Sequence, residues 1–398
     1  MATFRPSHFA SPETLAAVHP PRLATFLHPH REFLLARGFP LPPADAPAPV
    51  DFARLAQIFL APDQDTPADL IDALYYVDRL ATPEGMADLL GAARDRGLAL
   101  AAGDDVTPAD VAVQVWLQAP RLLERVEAEQ FLEHPRSFEY YQADGADPPP
   151  AAAPGEEARA RLEARLNDWC EEHRRGRTAR VFVSRRDGVA YFLIRHGEPF
   201  KREGSVLDNE PASVAYRPLR HDVAVYDPAL GELRVHAQLK GERQLYRQAI
   251  AEYLGGPDGY FGREAKYSLH PIRRDGEGCL ACGDVGGLEA VRLRELHYAW
   301  GGKHREYHVE KADDLFAALR DRGNRPIPTL PRLAKAVFAV WFPGAKRPRS
   351  VAIKVPNTAL YTRDGDSGRV ERWLQLRGFL RAEADADDLA ADAVLVGA

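Results

Sequence analysis

Residues 179–194 read ARVFVSRRDGVAYFLI, and this stretch decides the fold class. Residues 179–184 and 189–194 are short runs rich in β-branched and aromatic side chains, read here with the period of a strand and not of a helix. Arg186-Asp187-Gly188 between them supplies residues that tolerate positive φ, as a tight hairpin turn requires. The pattern recurs downstream: 222–226 (DVAVY) and 232–237 (ELRVHA) flank a turn of Asp227, Pro228 and Gly231. A helix is expected over 241–254, with Leu245, Ile250 and Leu254 facing inward. Strands are expected near 266–272 and 289–298, and a helix over 311–322. A last unit reads as strand 336–342, a basic turn from Lys346 to Arg349, strand 350–354 and helix 367–376.

Upstream of 143 the period is helical throughout. Ser11-Pro12-Glu13, Thr82-Pro83-Glu84 and Thr107-Pro108-Ala109 each place a hydroxyl at the N-cap and proline at the first helical position. Thr66-Pro67 opens another such stretch, with Leu70, Ile71, Leu74 and Val77 on one stripe. Residues 143–155, ADGADPPPAAAPG, read as a stiff proline-rich linker, and 156–175 as a charged helix. The expected fold is therefore α+β: an N-terminal all-α helical domain over 1–142, then a mixed, mainly antiparallel α+β region over 156–380. That region is either one domain or two that part near 325–335. An acidic tail over 381–398 is expected to fray.

The chain has 398 residues, 45% of them apolar and 28% charged, which excludes disordered, collagenous and membrane-embedded classes. The net charge of −6 hides an asymmetry. Residues 1–150 hold 11 basic and 22 acidic side chains, whereas 151–380 hold 40 basic and 31 acidic. An acidic helical front suits docking on a protein partner, and a basic second region suits a polyanion. Three cysteines are too few for a disulfide framework. The N-terminal MATFRPSHFASPETL lacks a secretory pattern, and no apolar run approaches membrane-spanning length, so a cytoplasmic protein without a membrane partner is expected.

Four constellations carry chemistry. The broadest is basic: Arg185, Arg186, Lys201, Arg202, Arg217 and Arg220 on turns and strand ends, with Arg347 and Arg349 in the last turn. With Tyr191, Tyr216, Tyr260 and Tyr267 nearby, these suit phosphate contact and base stacking. The second is Asp222, then Gln238-Leu239-Lys240 at the end of the next strand, then a helix. This order resembles the core of PD-(D/E)xK nucleases. The resemblance implies Asp222 as a Mg²⁺ ligand and Lys240 as the group that orients the attacking water, with Gln238 standing where the family has a second acid. The third is Cys279, Cys282, His304 and His308, two thiolates and two imidazoles suited to a tetrahedral structural Zn²⁺. The fourth is YFLIRHGE over 191–198, which resembles the opening strand of histidine phosphatases and implies His196 as nucleophile and Arg195 as phosphate clamp.

The expectation that follows is a nucleic-acid-associated, bacterial-type protein. Its basic α+β domain would contact the phosphate backbone, DNA or RNA, and its helical domain would dock a partner. A Mg²⁺-dependent nuclease centred on Asp222 and Lys240, active or degenerate, is the first alternative. A non-catalytic interaction subunit of a larger complex is the second.

Overall fold

The computed structural model describes residues 4–41, 50–101, 103, 106–130, 132, 135–143, 155–301, 303–363 and 367–381. Two compact units emerge. One comprises Met1–Phe131 with Glu203–Val214, the other Leu132–Arg202 with Ala215–Ala398. The α+β expectation holds: helices fill the first unit and a large antiparallel sheet organises the second. Among the described residues no helix is long and apolar enough to cross a membrane.

In the first unit the helices are α1 (Pro12–Ala16), α2 (Pro20–Leu27), α3 (Arg31–Ala36), α4 (Phe52–Leu60), α5 (Ala68–Leu80), α6 (Pro83–Asp95), α7 (Pro108–Gln118) and α8 (Pro120–Gln130). The hydroxyls of Ser11, Thr82 and Thr107 accept from the backbone N–H three residues on, as their spacing predicts. Thr66 does not cap: its hydroxyl turns back to Asp63, and α5 starts one residue after Pro67. Helix α7 is enclosed, with Val111, Ala112, Val113 and Val115 all buried. Its buried Asp110 is matched by Arg22, the His19 N–H and Gln114.

The sheet of the second unit has ten strands in the order β2-β3-β6-β7-β1-β12-β11-β10-β8-β9. They are β1 (Ser137–Gln142), β2 (Arg180–Arg186), β3 (Val189–Gly197), β6 (Leu219–Asp227), β7 (Glu232–His236), β8 (Ala290–Gly301), β9 (Glu306–Lys311), β10 (Arg332–Trp341), β11 (Arg349–Lys354) and β12 (Thr358–Leu360). A separate hairpin, β4 (Lys201–Leu207) and β5 (Glu210–Tyr216), most of which belongs to the first unit, turns at Asp208-Asn209, both at positive φ. Helices α9 (Glu156–Glu172), α10 (Lys240–Tyr253), α11 (His270–Arg274), α12 (Leu315–Asp321) and α13 (Ser367–Leu376) complete it. The β2–β3 turn is the one the sequence predicts, with Asp187 and Gly188 at φ 50° and 81°.

Two expectations fail here, on 137–142 and on 266–272. Residues 137–142 are not helical. They form β1, which pairs with β7 on one side and β12 on the other, so the sheet takes a strand from upstream of the proline-rich stretch. Its SFEYYQ pattern buries Phe138, Tyr140 and Tyr141, more apolar area than one helical stripe would hide. Residues 266–272 contribute a single bridge at Tyr267 and then the short α11. The sheet also runs without interruption across 325–335, since β10 pairs with both β8 and β11. The linker core 144–154 and the tail beyond 381 lie outside the described residues.

Helices α9 and α10 cover the β2–β3–β6–β7 half, burying Leu162, Leu166, Leu245 and Ile250 against Phe192, Ile194, Ala224 and Val235. Helix α9 also closes the outer edge of β2. The Asn167 amide accepts from the Ala179 N–H (2.9 Å) and donates to its carbonyl (3.2 Å). Glu163 accepts from the Val181 N–H (2.9 Å). Two side chains thus stand where a further strand would pair.

Candidate functional site

The register places Asp222 opposite Ile194, and Arg220 opposite His196. By alternation His196, Arg220 and Asp222 share the helix-covered face of the sheet with Phe192 and Ala224. The N-terminal half of α10 lies over them and lowers Glu242 and Tyr246 into the same space; Glu242 also accepts from the Leu239 N–H and so caps the helix. Tyr246 donates to Asp222 Oδ2 (2.8 Å), and His196 Nε2 lies 3.0 Å from the same oxygen. Arg175 Nη1 sits 2.7 Å from Glu242 Oε1 and 3.3 Å from His196 Nδ1. Arg220 reaches Asp222 (3.5 Å), Glu198 (2.7 Å) and Gln238 (2.5 Å), and Lys201 closes on Glu198 (2.8 Å).

Burial pulls the His196 imidazole down, but the hydrogen bond and charge of Asp222, the Gly197 carbonyl and Glu242 outweigh it and hold the ring above 6.5. Burial, then the charges of Asp222 and Glu242, push the Tyr246 phenol well up. Burial lifts Cys170 to about 11, so this neighbouring thiol is no nucleophile.

Ligand atoms of His196, Asp222 and Glu242 all lie within 4.8 Å of one another, the one such trio among the described residues. The cation that this trio calls for is already present. Arg175 occupies the space between Glu242 and His196, and Arg220 faces Asp222. The three acids Asp222, Glu242 and Glu198 are each paired with a basic side chain, Arg220, Arg175 or Lys201, so the network offsets its own carboxylates. Each of the three, Asp222, His196 and Glu242, is at most 1% exposed, which leaves no approach for a substrate. This is a closed ion network that pins α10 to the sheet.

The nuclease set does not assemble around it. Gln238 and Lys240 are exposed, the first on the loop after β7 and the second opening α10, and the acid that meets Asp222 is Glu242. Arg195 and His196 lie on opposite sheet faces, Arg195 over the Phe182 ring, so they form no phosphate clamp. Gly197 of the HGE motif has a packing reason: a Cβ there would come within 2.5 Å of the Arg217 side chain. The zinc set is likewise dispersed. Cys279 and Cys282 are buried free thiols beside the 3₁₀ turn Gly276–Leu280, with burial lifting Cys279 to about 12. His304 is exposed between β8 and β9, and His308 lies against the Tyr298 ring.

Of the basic residues, Arg217 and Arg220 serve the interior, and Lys201 is paired with Glu198. Arg217 donates to the carbonyls of Arg174 and Glu198. Arg349 stacks on Phe342. Arg185, Arg186, Arg202 and Arg347 are exposed, at separate turns and strand ends.

The other half of the sheet holds a constellation the sequence does not announce. Leu293 pairs with Phe338 and Glu295 with Val337, so Arg294 is an extra residue in β8; Ala334 is likewise extra in β10. The β8 bulge shifts the parity of the strand, so Leu296 and Tyr298 continue the buried face. Glu295, His297 and Ala299 thereby share the open face with Lys335, Val337 and Arg332 of β10, Lys311, Val309 and Tyr307 of β9, and Lys354 of β11. Two lysines, Lys335 and Lys311, flank the Glu295 carboxylate on this face, and Arg332 and Lys354 lie further along it. Tyr307 Oη lies 2.6 Å from His297 Nδ1, and His297 Nε2 is hydrogen-bonded to Glu295. Lys335 and Lys311 sit 3.5 and 3.6 Å from the Glu295 carboxylate. The hydrogen bond from His297 and, more weakly, Lys335 hold that carboxyl below its usual range against the effect of burial. Only the bulges, which no local pattern encodes, bring these residues together.

No protein-family model matches the chain, and a search of curated proteins finds no match.

Proposed function

We propose that the chain is a nucleic-acid-binding protein whose phosphate-contacting surface is the open face of β8, β9, β10 and β11. The observation that carries this reading is that Arg332, Lys335, Lys354 and Lys311 share one face of the sheet with a half-exposed Tyr307. Lys335 and Lys354 are direct cross-strand partners. Like charges so placed repel, and a bound polyanion relieves the repulsion. Tyr307 adds an aromatic surface on which a base can stack. The surplus of 40 basic over 31 acidic residues in 151–380 favours approach of a polyanion at long range.

A salt titration of fluorescence anisotropy with labelled single- and double-stranded oligonucleotides tests the reading. Four phosphate contacts correspond to a slope of log K against log salt of about −2.8 for single strands and about −3.6 for duplex. Affinity should fall roughly 50- to 150-fold between 50 and 200 mM salt. Charge reversal at Lys335 and Lys354 should flatten the slope by about half, for every sequence alike. Absence of binding at 50 mM salt, or binding that charge reversal at Arg185 and Arg186 abolishes while Lys335 and Lys354 are dispensable, would overturn it.

A further inference from the structure

We infer that Tyr307 is a nucleophile toward a phosphodiester, with His297 as its general base and Glu295 as the positioning residue. The inference rests on the phosphate-binding reading of the same face. The chain Tyr307 Oη, His297 Nδ1, His297 Nε2, Glu295 is continuous, with 2.6 Å at its first link. A carboxylate on Nε2 fixes the proton there and leaves the Nδ1 lone pair facing the phenol, as in hydroxyl–imidazole–carboxylate triads. Exposure is graded in the useful direction. Tyr307 is 53% exposed, while the His297 and Glu295 side chains are 12% and 17% exposed, so the base is sheltered and the nucleophile meets solvent.

The cross-strand geometry explains why these side chains meet. Tyr307 stands opposite Ala299, whose methyl group leaves the ring free to lean toward His297, with 5.5 Å between ring centroids. Burial and the Glu295 charge push the Tyr307 phenol up, so the resting hydroxyl keeps its proton and must give it to His297 as the bond forms. Arg332, also opposite Ala299, and Lys335, opposite His297, stand on the same face as the hydroxyl and supply cations that can neutralise the phosphoryl oxygens.

In the step, the Tyr307 oxygen bonds to phosphorus and the phenolic proton passes to His297 Nδ1. The bond from phosphorus to one sugar oxygen breaks, and that oxygen leaves with the electron pair and takes a proton from water. The products are a strand joined to Tyr307 as a phosphodiester and a free hydroxyl end. Single-stranded DNA is the substrate class, because a strand on an open sheet face reaches the tyrosine directly and, in RNA, a neighbouring 2′-hydroxyl would attack a 3′-linked phosphorus, form a cyclic phosphate and release the tyrosine.

The test uses the full chain at 50 mM salt with oligodeoxynucleotides labelled at either end, with and without Mg²⁺ or Mn²⁺. Denaturing gels and peptide mass spectrometry should show one covalent adduct, on Tyr307. Tyr307→Phe should abolish it, and His297→Asn should slow it at least 100-fold. Both variants should keep the far-UV circular dichroism and the melting transition of the native chain, a readout that misfolding would move. Thymidine p-nitrophenyl phosphate, which needs no extended binding surface, should give a burst of one nitrophenolate per chain that Tyr307→Phe removes. A burst without oligonucleotide binding would retain the nucleophile and sink the polynucleotide reading. Oligonucleotide binding with neither adduct nor burst, or an adduct that persists in Tyr307→Phe, would overturn the inference.

Discussion

Replacing Asp222 by Asn perturbs the buried network at its centre. Asp222 Oδ2 accepts from Tyr246 and His196, and its charge offsets Arg220. Removing one partner of a buried ion network costs about 3–5 kcal/mol, because the opposite charge is left unpaired. The Asn carbonyl still accepts from Tyr246, so the low end applies, about 3 kcal/mol. For a unit of this size that lowers its Tm by roughly 6–12 °C. The pH dependence should change sign as well. In the native protein His196 is held above 6.5, chiefly through Asp222 once burial is overcome. Its contribution is therefore complete below about pH 6.5 and is lost as pH rises through the folded value. In Asp222→Asn burial dominates, the imidazole falls below 6.5, and stability is instead lost as pH falls. Calorimetry of the second unit's transition, with urea titrations from pH 5.5 to 8, reads both effects. Tyr246→Phe should cost about 1.5 kcal/mol, one hydrogen bond to a charged acceptor. Exposed Lys240→Ala should stay within about 0.5 kcal/mol. A loss below 1 kcal/mol in Asp222→Asn, or a pH slope equal to that of the native chain, would refute the account of a closed network. So would a stoichiometric metal whose chelation lowers the same transition.

Two further outcomes follow from buried groups. Burial, then the charges of Arg195 and His196, push His221 down to about 4, so it is neutral in the fold and stability is lost as pH falls from about 6.5 toward 4. This amounts to roughly 2 kcal/mol at pH 5, and His221→Gln should remove that part of the acid limb in urea titrations. Asn167→Ala leaves the Ala179 N–H and carbonyl at the β2 edge without partners. It should cost about 2 kcal/mol and raise concentration-dependent light scattering, whereas unchanged stability and scattering would show that α9 does not guard the edge.

Legibility along this chain follows the range of the forces involved. The β2–β3 hairpin is readable because its turn, Asp187-Gly188, and the two short β-branched and aromatic runs beside it lie within sixteen consecutive residues. The capped starts of α1, α6 and α7 are readable for the same reason: Ser11, Thr82 and Thr107 act on a backbone N–H three residues away. Sequence reasoning also marks Asp222 and His196, since a carboxylate and an imidazole on strands of apolar residues stand out. It cannot say that they face each other, or that Arg175 and Glu242 take the room a metal or substrate would need. Cys279 and His308 share one region of sequence, yet the fold buries one beside a 3₁₀ turn and exposes the other on β9.

By itself, then, the sequence determined the local elements, the α+β class and the charge division between 1–150 and 151–380. The tertiary structure decided which strands became neighbours and which side chains shared a face. Strand β1 lies between β7 and β12 because its aromatic residues are buried there by segments about 90 and 220 residues further on. Glu295 and His297 share a sheet face with Tyr307 only because one extra residue in β8 reverses the parity of the strand. A single added residue leaves almost no trace in a pattern of period two, yet it moves every side chain beyond it to the opposite face.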